Sequence, residues 1–217
     1  MFTPARRTGW LSLGIISLIL MASLRLASPA HAQTIAERFA ADPVAAEAAL
    51  DLARHTFDAW VLRHERLTLP EDLPPLLRER AAVFVSAMLG DAPRCCMGAL
   101  YPTRPTVAEQ ISEAALAACR TDLRFSPVTP QELPRLRVIV SVLEPPEPIA
   151  DARGLDPARD GLAVRAARGL GVVLPLETPR AELIEPWARI RAGASPDEPV
   201  DYYRVRAFRT VEPEREP

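Results

Sequence analysis

Two adjacent cysteines, Cys95 and Cys96, are the side chains of this 217-residue sequence best suited to carry chemistry. Arg94 precedes them and Gly98 closes the stretch, which lies between a strand-like apolar run and a predicted helix. A cysteine becomes a nucleophile when a nearby positive group, a base or a helix N-terminus stabilises its thiolate. Arg94 and the following helix could supply the first and the third of these. The stretch is therefore a candidate site for thiol chemistry.

Two other roles for the cysteines stay open. A free cysteine at the end of a strand most often packs as a small apolar side chain. In an oxidising compartment, three cysteines commonly form one disulfide and leave one free thiol. Because adjacent cysteines form a disulfide only with strain, Cys119 would be the partner of either Cys95 or Cys96.

Other catalytic and metal-binding patterns are missing from the sequence. Downstream of residue 32 the only histidines are His55 and His64, both in the first predicted helix, so a Cys96–His dyad requires that helix to cross the cysteine stretch. Two adjacent cysteines and a distant third lack the spacing of a zinc site. The sequence has no Gly-x-Ser-x-Gly, His-Glu-x-x-His or glycine-rich phosphate loop. We therefore expect no metal and no cofactor.

The first 32 residues have the pattern of a secretory signal peptide. Arg6 and Arg7 precede an apolar run from Trp10 to Leu24, and Ala30-His31-Ala32 provides a small-residue cleavage site. The run is shorter than the roughly 20 apolar residues that a membrane-spanning helix needs. We therefore expect cleavage after Ala32 and a periplasmic or secreted protein, with a retained N-terminal membrane anchor as the alternative.

The charged residues restrict the partners. All 26 basic residues are arginine, so lysine nucleophiles and Schiff-base chemistry are excluded. Removal of the signal peptide would take three arginines and no acidic residue, leaving 23 basic against 28 acidic side chains and a net charge of −5. Nucleic-acid binding rests on neutralising phosphates with basic side chains. We therefore expect no nucleic-acid partner, and no membrane association once the signal peptide has been removed.

Hydrophobic periodicity predicts one α+β domain over residues 33–217. Helical spacing of apolar residues, together with capping or proline signals, predicts helices over 43–64, 106–120 and 179–191. Apolar or alternating runs predict strands over 81–89, 136–143, 161–166, 170–176 and 202–209, and 136–143 is predicted to be central because both its faces are apolar. The irregular order of helices and strands favours a largely antiparallel sheet with flanking helices. We expect the acidic tail, 212–217, to be disordered.

Four separated strings of the sequence carry a family resemblance. They are Arg94–Gly98 (RCCMG); Asp122–Phe125 (DLRF) followed by Pro127; Glu132-Leu133 and Leu136 leading into Ser141–Ile149 (SVLEPPEPI); and the hairpin Gly161–Pro175. Together and in this order they resemble the AMMECR domain family, whose prokaryotic members are also called protein A of the Memo–radical-SAM system. The best-matched core covers about residues 50–176. Cys95 stands where the family has glycine, and Leu123 where it has proline.

The resemblance implies an α+β fold of two unequal subdomains with a groove between them, and it implies no particular reaction. Cys96 stands at the family's cysteine position, which makes it the candidate nucleophile. Because Cys95 replaces a glycine of the family, it is the more natural disulfide partner for Cys119.

The same strings supply candidate groove residues. Arg94, Gly98, Arg124 and Glu147 could converge with Cys96, and arginines beside a groove suit a carboxylate or phosphate ligand. The alternative is an internal Arg–Glu pair that locks the subdomains together, with Gly98 serving only a backbone conformation.

Two functions follow from these observations. The first is a binding module that acts through the groove on a small-molecule or protein partner, and the lack of a complete catalytic constellation favours it. The alternative is a thiol-dependent enzyme in which Cys96 is the nucleophile, assisted by Arg94 and a histidine.

Overall fold

The computed structural model describes residues 33–213, which form four α-helices and eight β-strands. The helices are α1 (Ile35–Ala41), α2 (Pro43–Arg63), α3 (Val107–Arg120) and α4 (Ala181–Ala192). The strands are β1 (Ala82–Leu89), β2 (Ala92–Gly98), β3 (Leu136–Leu143), β4 (Glu147–Ile149), β5 (Gly161–Arg165), β6 (Leu170–Val173), β7 (Asp201–Val205) and β8 (Ala207–Val211). The predicted signal peptide, 1–32, lies outside the described residues.

The first sheet has the strand order β2-β1-β3-β8, and its pairings are antiparallel. β3 is an inner strand in which all residues but Arg137 are buried, as predicted for a strand with two apolar faces. Val138, Val140 and Val142 point to one face of the sheet, and the intervening residues point to the other.

Helices α2 and α3 cover the face of the first sheet to which those valines point. The largest fully buried side chains of this core include Phe39, Phe57 and Ile111. α3 begins where the sequence predicts: Thr106 Oγ1 accepts the N–H of Glu109 at 3.2 Å, and the Glu109 carboxylate accepts the N–H of Thr106 at 3.3 Å. Between residues 33 and 213, no helix is both long and apolar enough to cross a membrane.

The second sheet has the order β4-β7-β5-β6 and is also antiparallel. α4 packs on one of its faces, where Ile184 and Ala188 join apolar residues of β5 and β6. The opposite face meets the first sheet through a smaller cluster that includes Ala163, Val205 and Leu143. The two sheets therefore lie between α2 and α3 on one side and α4 on the other. The α+β class and the antiparallel sheets were predicted correctly.

The strand predicted over 202–209 is wrong in one respect, because it is two strands in two different sheets. β7 ends at Val205 and pairs with β4 and β5, whereas β8 begins at Ala207 and pairs with β3. Arg206 lies at the crossing, where its carbonyl accepts the N–H of Glu144 at 2.9 Å. An alternating pattern reports the face of a strand but not its partner, so the change of sheet left no signal in the sequence.

The prediction of a disordered tail is wrong at its first residue. The Glu212 carboxylate is buried and forms an ion pair with the Arg54 guanidinium, whose Nε donates to Oε1 at 2.9 Å. The N–H of Val138 also donates to Glu212 Oε2 at 2.8 Å. Partners distant in sequence hold this residue, so a local composition rule could not predict it. Residues 214–217 lie outside the described part of the chain.

Candidate functional site

A cavity of about 490 Å³ lies on the face of the first sheet that points away from α2 and α3. Alternation along the strands decides which side chains reach it, because neighbours on a strand point to opposite faces. Its floor therefore takes residues from all four strands of the first sheet: Ser86, Met88, Cys96, Ile139, Ser141 and Arg209. Cys95, next to Cys96, also borders the cavity, but its side chain belongs to the core beneath the helices.

The walls of the cavity are mostly apolar. Leu174 and Leu176 come from the segment after β6, Trp187 and Ile190 come from α4, and Phe125 comes from the loop after α3. The polar wall groups are Arg124, Glu177 and Arg191. Residues far apart in sequence thus surround Cys96 with an apolar chamber that carries a few charged groups. The predicted groove between two subdomains stays a prediction, and this cavity is its nearest counterpart.

The main chain of Cys96 is held by the loop after α3. Asp122 Oδ2 accepts the Cys96 N–H at 2.9 Å, and Arg124 Nη2 donates to the Cys96 carbonyl at 2.9 Å. The two loop residues also pair with each other, at 2.7 Å. Burial acts to raise the pKa of Asp122, but the hydrogen bonds from Arg124 and from the Cys96 amide outweigh it, so that pKa is lowered. The predicted convergence of Arg124 with Cys96 is present, through the backbone.

The Cys96 thiol is not prepared as a nucleophile. Its sulfur lies 3.1 Å from Ser86 Oγ, on the directly paired residue of β1. Burial raises the pKa of the thiol, and the hydrogen bond to Ser86 offsets this only in part. The described lining of the cavity includes no histidine, and the exposed His55 and His64 lie in α2 and at its C-terminal cap, on the far side of the sheet. The hypothesis of a Cys96–His dyad is therefore wrong, because neither histidine lies beside the thiol.

Arg94 lies away from the cavity lining. The register of β1 and β2 shifts between Ala87 and Met88, so that Arg94 is the extra residue of a bulge. Its guanidinium forms two hydrogen bonds to Glu132, at 2.5 and 3.1 Å, and it does not line the cavity. Arg94 thus forms an internal pair with a glutamate, whereas the expected locking of two subdomains by such a pair stays a prediction. Its hydrogen bonds lower the pKa of Glu132 to about 2.

Glu147 and Gly98 also lie away from the cavity lining. Glu147 begins edge strand β4, where it is exposed and pairs with Arg204 at 3.1 Å. A Cβ atom on Gly98 would lie 2.4 Å from the Val83 carbonyl oxygen and 2.5 Å from Phe84 Cγ. Gly98 is therefore required by close packing of the sheet rather than by a ligand or by a special backbone conformation.

Cys95 and Cys119 form no disulfide in the structure. Both are free thiols, and both belong to the apolar core between the first sheet and the helices. Burial raises the pKa of each thiol to about 12. Both therefore pack as small apolar side chains, which was one of the roles left open for these cysteines.

Most of the polar residues of the cavity were not predicted from the sequence. Glu177 pairs with Arg191 at 2.6 Å and accepts the N–H of Leu174 at 2.9 Å, and Arg209 Nη1 donates to the Pro175 carbonyl at 3.2 Å. Only the long-range fold brings these residues together. Ser86 and Ser141 did leave a signal, because each is a single hydroxyl inside an otherwise apolar strand.

The fold and site define a class of protein: an α+β domain of two antiparallel sheets, with an apolar chamber and a half-buried thiol on the inner face of one sheet. A family model described as AMMECR1 matches residues 50–211. A protein from Thermotoga maritima is 33% identical over 172 residues, which cover 73% of this chain and 98% of that protein. A protein from Thermococcus gammatolerans is 40% identical over 134 residues, covering 57% of this chain and 65% of that protein.

Structural similarity agrees with these matches. The crystal structure of an uncharacterized protein, PH0010 from Pyrococcus horikoshii, is similar with a TM-score of 0.71 and 30% identity, over 79% of this chain and 93% of that one. The chain belongs to the AMMECR1 family. The resemblance drawn from the four sequence strings is thereby confirmed at the level of the family.

Proposed function

We propose that this AMMECR1-family domain is a binding module that takes a small, largely apolar molecule into the cavity beside Cys96. The cavity itself is the observation that carries the proposal. Its volume of about 490 Å³ is typical of small-molecule sites, which are mostly apolar with a few placed polar groups. Side chains from the first sheet, the segment after β6, α4 and the loop after α3 surround it, so a bound molecule would be enclosed by several parts of the fold.

The site is built on rigid elements, which supports a preformed binding site. Its floor consists of paired strands, including the inner strands β1 and β3. One wall is tied to that floor by two hydrogen bonds, because Asp122 accepts the Cys96 N–H and Arg124 donates to the Cys96 carbonyl. A preformed site loses little conformational entropy when a ligand binds.

Binding of the neutral fluorescent probe N-phenyl-1-naphthylamine tests this proposal. We expect a saturable rise in fluorescence with the wild-type protein. Ile139→Trp adds a ring at the floor of the cavity, where there is space for it, and should weaken binding about tenfold or more. Val44→Trp, at an exposed position of α2, is the matched control and should bind as the wild type does. Equal probe binding by the two folded variants would contradict the proposal.

A thiol-dependent enzyme with Cys96 as nucleophile is the second candidate. Two observations favour it: Cys96 lines the cavity, and the charges of Arg124 and Arg191 act to stabilise its thiolate. Burial acts in the opposite direction and prevails. Alkylation with iodoacetamide at about pH 7 separates the two candidates. A binding module predicts that Cys96 reacts more slowly than free cysteine, whereas an activated nucleophile reacts faster.

We also propose that residues 1–32 direct export and are cleaved after Ala32. Support comes from the arginine pair, the apolar run and the Ala-His-Ala site. Intact mass of the protein from the exported fraction should place the N-terminus at Gln33, and retention of Met1 would indicate a membrane anchor instead. Association with an iron–sulfur radical enzyme, which the family resemblance suggests, is not part of this proposal because such an enzyme is not expected in an oxidising compartment.

A further inference from the structure

The charges around the cavity are unequal in number. Three arginines, Arg124, Arg191 and Arg209, line it together with a single acidic residue, Glu177. In an apolar chamber each charge needs a partner, because removing a charged group from water is costly unless another charge or hydrogen bonds replace the water. The partners of the three guanidinium groups therefore indicate which of them is available to a ligand.

Two of the three arginines are already neutralised. Arg124 pairs with Asp122 at 2.7 Å and donates to the Cys96 carbonyl. Arg191 pairs with Glu177 at 2.6 Å, and its Nη1 donates to the Val172 carbonyl at 2.6 Å. Each of these guanidinium groups has one carboxylate and one carbonyl oxygen. Neither adds net charge to the chamber.

Arg209 differs from the other two. Its Nη1 donates to the Pro175 carbonyl at 3.2 Å, and within residues 33–213 no carboxylate lies within ion-pair distance of it. A guanidinium carries five N–H donors, so most of the hydrogen-bonding capacity of Arg209 is available. Its register partner on β3 is Ser141, whose side chain lines the same part of the floor. The cavity thus has one positive charge in excess, beside a hydroxyl.

Apart from Ser86 and Ser141, the remainder of the lining is largely apolar, and it includes a strained residue. Leu176 has a φ of 62°, a left-handed conformation that is unfavourable for leucine, and it remains 57% exposed at the cavity wall. Its N–H donates to the Pro157 carbonyl at 2.8 Å, which holds this conformation. The other apolar wall residues are Leu174 and Phe125, together with Trp187 and Ile190 of α4. The chamber therefore offers an apolar surface and one cationic group to the same molecule.

We infer that the ligand of the cavity is a monoanionic carboxylate with an apolar body, whose carboxylate is bound by Arg209 and whose body lies against Leu176, Trp187 and Ile190. The inference rests on the proposed function, since it names the class of molecule that the same cavity would take. One negative charge balances the single excess positive charge, whereas a dianion would leave an unpaired negative charge in an apolar chamber. The planar guanidinium matches the two oxygens of a carboxylate.

Titration calorimetry with decanoate and decan-1-ol at about pH 8, where carboxylates are ionised, tests the inference. The two probes share an apolar chain and differ in the charged group. We expect the wild type to bind decanoate more tightly than decan-1-ol. Arg209→Gln should lower the affinity for decanoate by about 10- to 100-fold and leave the affinity for decan-1-ol unchanged.

Arg206→Gln is the matched control, because it removes the same charge from a neighbouring exposed residue outside the cavity lining. It should leave both affinities unchanged. Equal wild-type affinity for the two probes, or an equal loss of both in Arg209→Gln, would overturn the inference and leave the proposed function standing. Failure of the wild type to bind either probe would overturn both. Melting temperatures of the two variants show whether each has folded.

Discussion

Asp122 accepts a hydrogen bond from the main-chain N–H of Cys96 at 2.9 Å, and this contact joins the loop after α3 to the floor of the cavity. Arg124 completes the connection by donating to the Cys96 carbonyl. The two strings that resemble the family's Asp-Pro-Arg-Phe and Arg-Gly-Cys signatures are therefore in direct contact. Their shared role in this structure is to fix the backbone at the cysteine, whatever the chemistry of the thiol.

Asp122→Asn should destabilise the protein because the Arg124 guanidinium loses its ionic partner at a largely buried site. Hydrogen bonds to charged groups contribute about 2 kcal/mol each, so we expect a loss of that order in the free energy of unfolding. Urea denaturation measures it. Asp151→Asn is a matched control, since Asp151 pairs with Arg153 at the same spacing, at 2.6 Å, but on the surface. It should cause no measurable change, and equal losses in the two variants would contradict the role of burial.

Stability should depend on pH through the pair of Arg94 with Glu132. The hydrogen bonds from Arg94 lower the pKa of Glu132 to about 2 from an ordinary value of 4.5. A carboxyl whose pKa is lowered by folding stabilises the protein above its unfolded pKa, and this contribution is lost as the pH falls through the folded pKa. After allowance for solvent screening, we expect it to be about 2 kcal/mol, lost between about pH 4.5 and pH 2.

Glu132→Gln should remove this part of the pH dependence. Free energies of unfolding from urea titrations, measured from neutral pH downwards, provide the comparison. Glu65→Gln, which breaks an exposed pair with Arg63, should keep the wild-type profile. A wild-type slope retained in Glu132→Gln would show that other carboxyl groups cause the loss of stability in acid.

The pair of Arg54 with Glu212 should be among the most sensitive contacts of the fold. Both side chains are buried, and Arg54 also donates to the Leu133 and Leu136 carbonyls. Glu212→Gln leaves a buried guanidinium without its carboxylate, so we expect a loss of about 3 kcal/mol in the free energy of unfolding. The double variant Arg54→Met with Glu212→Met should lose less than the sum of the single variants. Additive losses would mean that the two residues act independently.

Local rules predicted the elements, and long-range contacts decided the site. Thr106 and Glu109 lie three residues apart, so the start of α3 follows from a capping rule alone. Thr34 and Glu37 form the same capping box at the start of α1, so the start of that helix could also have been predicted from the sequence. In contrast, the bulge that turns Arg94 to Glu132 depends on the pairing of β1 with β2. The register shift inside this hairpin, and the placement of Glu132 beside it, have no local signature.

The residues of the cavity also divide into those that could be selected from the sequence and those that only the fold identifies. Cys96 and Arg124 could be selected because they lie in recognisable strings, and Ser86 and Ser141 could have been selected as polar residues in apolar strands. Arg209 could not, because it resembles the nearby Arg204 and Arg206 until β8 is placed on β3 and its side chain faces the cavity. Glu147 was selected from a string and proved to belong to the exposed edge strand β4.

Protection of the Cys96 thiol tests most directly whether the cavity is a binding site. Cys95 and Cys119 are buried in the core, so alkylation of the folded protein by N-ethylmaleimide, located by mass spectrometry, reports on Cys96. Increasing concentrations of N-phenyl-1-naphthylamine should slow the reaction in proportion to the fraction of protein that has bound the probe. Reaction of Cys96 at an unchanged rate in the saturated protein would place the probe elsewhere and contradict the account.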